Sequence, residues 1–237
     1  MKSENVELNV ELNVELKLIK KLLTKINFSQ IDALNINLNE NEILGLYVYG
    51  SRLWGTADEQ SDLDYCVIVS DNSPIIAYQN YIQKESEDVD LHIMSESYYK
   101  DLVQNCDDMA LSMYFQEYPL IKYNYFTDIS LVNLRKSFSS KANNSYVKAK
   151  KKLADGEIRI AYKSLYHSIR ILDFGRKIAD AAINNEKIYD MTSFGEHIEW
   201  FNQCFEVEKM QWEEIHKIFK PIYNDYATEF KKLAPKA

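Results

Sequence analysis

The chain has 237 residues, 46% of them hydrophobic, and a formal net charge of −8; this is the makeup of a soluble globular protein with room for one large domain or two small ones. The acidic balance argues against a surface given over to nonspecific nucleic-acid binding, while leaving room for a local basic patch. Cys66, Cys106 and Cys204 and four scattered histidines match no zinc or disulfide spacing. No apolar run is long enough to span a bilayer and the N-terminus lacks a signal-peptide layout, so a reduced, cytoplasmic protein with no membrane partner is expected.

The first segment, "VELNVELNVELKLIKKLL", repeats Val-Glu-Leu-Asn from Val6. Its alternation suits an edge strand, and its Glu and Leu content suits an extension of the helix that follows; both readings stand. From Leu16 the apolar positions Leu18, Ile19, Leu22, Leu23 and Ile26 fit an amphipathic helix. "ILGLYVYG" then reads as a buried strand ending at Gly50, "SRLWGT" as a turn or short helix, and "LDYCVIVS" as a second strand. "PIIAYQNYIQK" is a candidate helix with Pro74 in its first turn. "DVDLHIM" is a third strand, and Ser95 is the N-cap of the helix after it.

Beyond about Lys122 the pattern is helical only, over roughly 129–153, 157–183, 194–205 and 207–232. Gly156 and Gly175 punctuate these stretches, and Pro221 is expected to kink or divide the last. The expected fold class is α+β. A small α/β domain with a mixed sheet and an N-terminal helical extension occupies 1–122, and an all-helical domain occupies 123–237.

Asp62 and Asp64 stand directly in front of the buried run Tyr65-Cys66-Val67-Ile68-Val69. Residues two apart on a strand share a face, so the pair projects together, and pairing with the strand of Asp90 brings a third carboxylate alongside. Such a group repels itself unless divalent cations lie within it. Mg²⁺ takes oxygen ligands and keeps positions open for phosphate; two ions, with Mn²⁺ as a substitute, can clamp both oxygens of a phosphoryl displacement. The Gly50-Ser51 corner supplies close backbone approach, a hydroxyl and a helix start, all suited to the β- and γ-phosphates of a nucleoside triphosphate.

The stretch "GSRLWGTADEQSDLDYCVIV" resembles the signature of the DNA polymerase beta-like nucleotidyltransferase superfamily: Gly-Ser, about ten residues, Asp-x-Asp in a hydrophobic strand, and a later acidic strand. Gly50, Ser51, Asp62 and Asp64 match it position by position, as do Gly55 and Ser61. Asp90 is the best match for the third acid, and Asp88 is the alternative. The resemblance covers about 50 residues. More loosely, "KAKKKL" and "KSLYHSIRIL" are similar to stand-alone nucleotidyltransferases carried by large bacteriophages. The resemblance implies transfer of a nucleoside monophosphate from a triphosphate to an acceptor hydroxyl, with release of pyrophosphate. Asp62, Asp64 and Asp90 would bind metal, and Asp90 or a Glu of the helical half would help deprotonate the acceptor.

In the helical half, Lys163, His167 and Arg170 stand at i, i+4 and i+7 on one helix face. Ten Lys/Arg against Asp155, Glu157 and Asp173 lie between Lys141 and Lys177. This stripe, including Lys148, Lys150, Lys151 and Lys152, could hold triphosphate oxygens or an RNA backbone, or form a solvated face. Arg52, beside Ser51, is a further phosphate candidate, and His92 lies on the Asp90 face. The acceptor is open among a small hydroxylated molecule, a protein side chain and RNA. The competing reading is a non-catalytic nucleotide-sensing or antitoxin-like partner-binding module on the same fold.

Overall fold

A computed structural model describes Leu38 and residues 40–57, 59, 61–86, 88–184 and 210–236. The Val-Glu-Leu-Asn repeat, the helix expected after it, and the helix expected over 194–205 lie outside the described residues. Four strands form one mixed sheet: β1 (Ile43–Val48), β2 (Leu63–Val69), β3 (Tyr81–Glu85) and β4 (Val89–Ser95), in spatial order β1-β2-β4-β3. β2 and β4 are parallel, while β1 and β3 run antiparallel at the two edges. The outer side of β1 is partly covered by a bridge between Leu46 and Ile121.

β2 reads as a continuous apolar run because both of its faces are covered. Tyr65, Val67 and Val69 pack with Ile43, Leu46, Val89, Leu91 and Ile93 on one face. Cys66 and Ile68 join Tyr47 and Met94 on the other, beneath the helices. That second core runs without a break from the sheet into the helical half, where Phe138, Phe174 and Phe230 are fully buried. Each such aromatic stabilises the fold by roughly 2–3 kcal/mol through area removed from water.

α1 (Gly50–Leu53) is a single turn between β1 and β2, and α2 (Glu96–Gln104) and α3 (Asp108–Tyr114) follow the sheet. Ser95 caps α2 as expected, its hydroxyl accepting from the Tyr98 N–H at 3.1 Å, and Asp107 caps α3 in the same way. Three long helices complete the fold: α4 (Leu131–Ala154), α5 (Ile158–Asn184) and α6 (Trp212–Leu233).

Three expectations are corrected. The segment from Pro74 is not a helix: only Pro74–Ile76 makes a 3₁₀ turn, and 81–85 is the edge strand β3. Hydrogen bonding to β4 outweighs the helical reading of its polar residues. Gly175 does not interrupt α5 but lies inside it, where a Cβ would come within 2.8 Å of Phe138 and 3.0 Å of Phe230. Gly156 does separate α4 from α5, with φ +79° and the Glu157 N–H returning to the Lys152 carbonyl at 2.9 Å, as in a Schellman ending. Finally, of the two outcomes expected at Pro221 the division does not occur: α6 runs through it as one helix, held by the buried stripe Ile215, Phe219, Tyr223, Ala227 and Phe230 and by a capping box at Gln211 and Glu214.

Candidate active site

The parallel register of β2 and β4 pairs Asp64 directly with Asp90 at the start of both strands. The end of β1 arrives at the same place, where the Tyr49 N–H donates to the Asp64 carbonyl at 2.8 Å. Gly50 follows with φ +64°, a backbone conformation that disfavours any residue with a Cβ. A Cβ at Gly50 would also stand 1.8 Å from Asp64 Oδ2, so glycine is required on both counts. The Ser51 N–H is directed at the Asp64 carboxylate. Ser51 Oγ is buried and has no hydrogen-bond partner among the described residues, an unsatisfied group of the kind a ligand oxygen would complete.

Asp62 lies exposed just before β2. Arg52, also exposed, reaches across from α1 and donates to the Ser61 carbonyl at 2.7 Å and the Asp62 carbonyl at 3.1 Å, tying down the backbone on which Asp62 sits. Burial, followed by the charges of Asp62 and Asp90, pushes the Asp64 carboxyl up to about 6; Lys163 and the Ser51 N–H act in the opposite direction. Asp64 therefore feels the charges of both other aspartates, and that of Lys163 on α5. Asp88 precedes β4 and is exposed.

Among the described residues no group of three His, Cys, Asp or Glu side chains is already gathered as a metal centre. The donor set nonetheless fits a hard divalent cation. It offers carboxylate oxygens, and Asp64 carries repulsion that a cation would remove.

Asp90 has partners of its own. Gln83 Nε2 donates to both of its oxygens at 3.1 Å, and His92 Nε2 lies 3.3 Å from Oδ2. The other His92 nitrogen, Nδ1, meets the Tyr81 hydroxyl at 2.5 Å. Gln83 and Tyr81 were hidden by the helical reading of their segment, whose exposed polar residues carry no apolar alternation that would have marked a strand.

Of the α5 triad, Lys163 and His167 are half-buried, while Arg170 is 2% exposed. Arg170 pairs with the buried Asp108 at 2.8 Å, donates from Nε to His167 Nδ1 at 3.3 Å, and lies 3.8 Å over the Trp54 ring. Burial first, then the Arg170 charge, holds His167 down to about 3, so it is a neutral imidazole at ordinary pH. Asp108 carries no distinguishing sequence pattern and was not singled out by it. Lys148 and Lys150 to Lys152 lie along the end of α4, with Lys152 paired to Glu157 at 2.6 Å.

Residues 32–106 match the family model described as Polymerase beta, Nucleotidyltransferase. No curated protein matches the chain. Among solved structures, the chain is similar to the spectinomycin adenyltransferase AAD(9) from Enterococcus faecialis, crystallised with ATP and spectinomycin. The identity is 16% over 86% of this chain and 99% of that one, with a TM-score of 0.40. It is also similar to a nucleotidyltransferase-like protein from Exiguobacterium sibiricum, at 12% identity over 91% of this chain and 74% of that one, with a TM-score of 0.30. At these scores neither neighbour supplies a residue role.

Proposed function

We propose, from a chain that carries a polymerase beta-type nucleotidyltransferase domain over residues 32–106, that it transfers a nucleoside monophosphate from a nucleoside triphosphate to an acceptor hydroxyl, releasing pyrophosphate. The observation that carries this reading is the strand register that sets Asp64 beside Asp90, with Asp62 near and the Gly50-Ser51 corner against Asp64. Asp62, Asp64 and Asp90 would hold Mg²⁺, or Mn²⁺ in its place. Bound divalent cations would neutralise charge on the triphosphate and on the leaving pyrophosphate.

The chain's own residues supply the rest. Gly50 admits phosphate to the backbone, and Ser51 Oγ, buried without a partner among the described residues, donates to a phosphate oxygen. Lys163 brings positive charge to the same place, while Arg52 holds the Asp62 segment in position. Asp90 accepts the proton of the acceptor hydroxyl. Catalysis rests on positioning and charge stabilisation. Arg170 contributes from beneath the corner, through Trp54 and His167. The division into 1–122 and 123–237 is proposed alongside, with the helical part closing over the nucleotide.

The test is transfer from four α-labelled nucleoside triphosphates, with Mg²⁺ or Mn²⁺, into extract of the native host. Products are sorted as small molecule, protein or RNA. Label dependent on Asp62 and Asp64, and lost in D62A/D64A, is the expected result, and its fraction names the acceptor class. Metal-dependent nucleotide binding with no label in any fraction would overturn the enzyme reading in favour of a nucleotide sensor.

A further inference from the structure

Asp90 differs from the other two aspartates in being held from both sides by neutral donors. On the sheet face that carries Asp64, β4 contributes Asp90 and His92, and β3 contributes Tyr81, Gln83 and Glu85, since the register sets Gln83 opposite His92 and Glu85 opposite Asp90. The Gln83 amide nitrogen is surrounded by acceptors only: Glu85 Oε1 at 2.7 Å and both Asp90 oxygens at 3.1 Å. That arrangement fixes which end of the amide is the donor. Tyr81 keeps its proton, because burial pushes the phenol up to about 12. Asp90 Oδ2, which can only accept, faces His92 Nε2 at 3.3 Å and so places the ring hydrogen there, leaving Nδ1 to accept from the Tyr81 hydroxyl. The side chains of His92 and Asp90 are only 12% and 17% exposed, so water competes weakly for the contact between them.

We infer that Tyr81, His92 and Gln83 form a positioning clamp that locks His92 in the Nε2–H tautomer and presents the Asp90 carboxylate, in one rotamer, toward Asp64 and a bound divalent cation. The clamp rests on the nucleotidyl-transfer reading above for its purpose, but its hydrogen-bond pattern is independent of it. Outer partners of this kind orient a carboxylate and restrict it to the oxygen lone pairs they leave free. Tyr81 and His92 are thus positioning residues: they touch neither substrate nor cation and act through Asp90. The edge strand β3 acquires a purpose beyond completing the sheet, since it supplies two of the three clamp residues.

Two readouts test this on the full chain. The first needs no metal. Histidine ¹⁵N spectra at about pH 8, with the His92 signal identified by its loss in H92Q, should show the neutral Nε2–H tautomer; Y81F should turn it into a mixture. An Nδ1–H tautomer in the wild type overturns the clamp. The second is Mn²⁺ titration followed by electron paramagnetic resonance, with and without ATP. Y81F and H92A should weaken Mn²⁺ binding about tenfold, the usual scale for an outer partner. H92Q, whose amide can still donate to Asp90, should recover part of that loss. Y81F removes one hydroxyl and serves if H92A does not fold.

Mn²⁺ affinity within twofold of wild type in both Y81F and H92A, where D90A is clearly weaker, overturns the clamp and leaves the nucleotidyl-transfer reading intact. Mn²⁺ binding that is indifferent to D62A/D64A overturns that reading instead, and the clamp's purpose with it.

Discussion

Asp64 is where the site costs the fold something. Its carboxyl is raised from the ordinary 3.8 to about 6, by burial and by the charges of Asp62 and Asp90. The folded chain therefore holds this proton more tightly than the unfolded chain does. The contribution of this group to stability is fully present below about pH 3.8 and is lost as pH rises through about 6. Metal-free D64N should accordingly melt above wild type at about pH 8, with the gap closing toward pH 4, and added Mn²⁺ should raise the wild type alone. Calorimetry at the two pH values decides it, and a gap independent of pH would show that the charge is not the cause. Gly50 sets a second residue-scale limit. G50A combines a positive φ with a Cβ 1.8 Å from Asp64 Oδ2, and should destabilise by on the order of 1–3 kcal/mol in urea unfolding. The sequence pattern marked both residues. It could not reveal that Asp64 itself receives the Ser51 N–H, because that depends on where β1 ends relative to β2.

Among elements, α5 carries most weight because it joins the helical half to the corner beneath the site. Burial drives Asp108 upward, yet Arg170 and Lys141 outweigh it and hold the carboxyl below its ordinary range. The contribution of this pair is present above the unfolded value, about 3.9, and is lost as pH falls through the lower folded value. Removing one partner leaves a buried charge alone, so R170M or D108N should each cost about 3–5 kcal/mol. D108L/R170M should recover much of that, and strictly additive losses in the double variant would contradict the coupling. G175A should cost about 1–3 kcal/mol by crowding Phe138 and Phe230. The helical period made α4, α5 and α6 legible to within a few residues at their described ends. β3 was not legible, since Gln83, Lys84 and Glu85 are exposed on an edge strand and leave no apolar alternation to read.

For the molecule as a whole, the decisive feature is that one face of the sheet and the three long helices share a core. Tyr47, Trp54, Cys66 and Ile68 belong to it as fully as Phe138 and Phe174 do. A shared core predicts a single cooperative unfolding transition, with far-ultraviolet circular dichroism and tryptophan fluorescence coinciding. Two separated transitions would mean that 1–122 and 123–237 hold independently. No helix among the described residues is long and apolar enough to cross a membrane.

The sequence by itself determined the local terms: three buried strands, three long helices, the glycine-serine corner and the Asp-x-Asp pair. Each follows from the periodicity or chemistry of residues close in the chain. Only the tertiary structure decided which distant groups meet. Asp90 stands beside Asp64 through strand register, Arg170 is buried against Trp54 and Asp108 through helix docking, and His92 gains its orientation from Tyr81 on a strand whose exposed side chains concealed it. Hydrogen bonds and ion pairs between distant residues depend on register and packing angle, and neither is written in the spacing of any one segment.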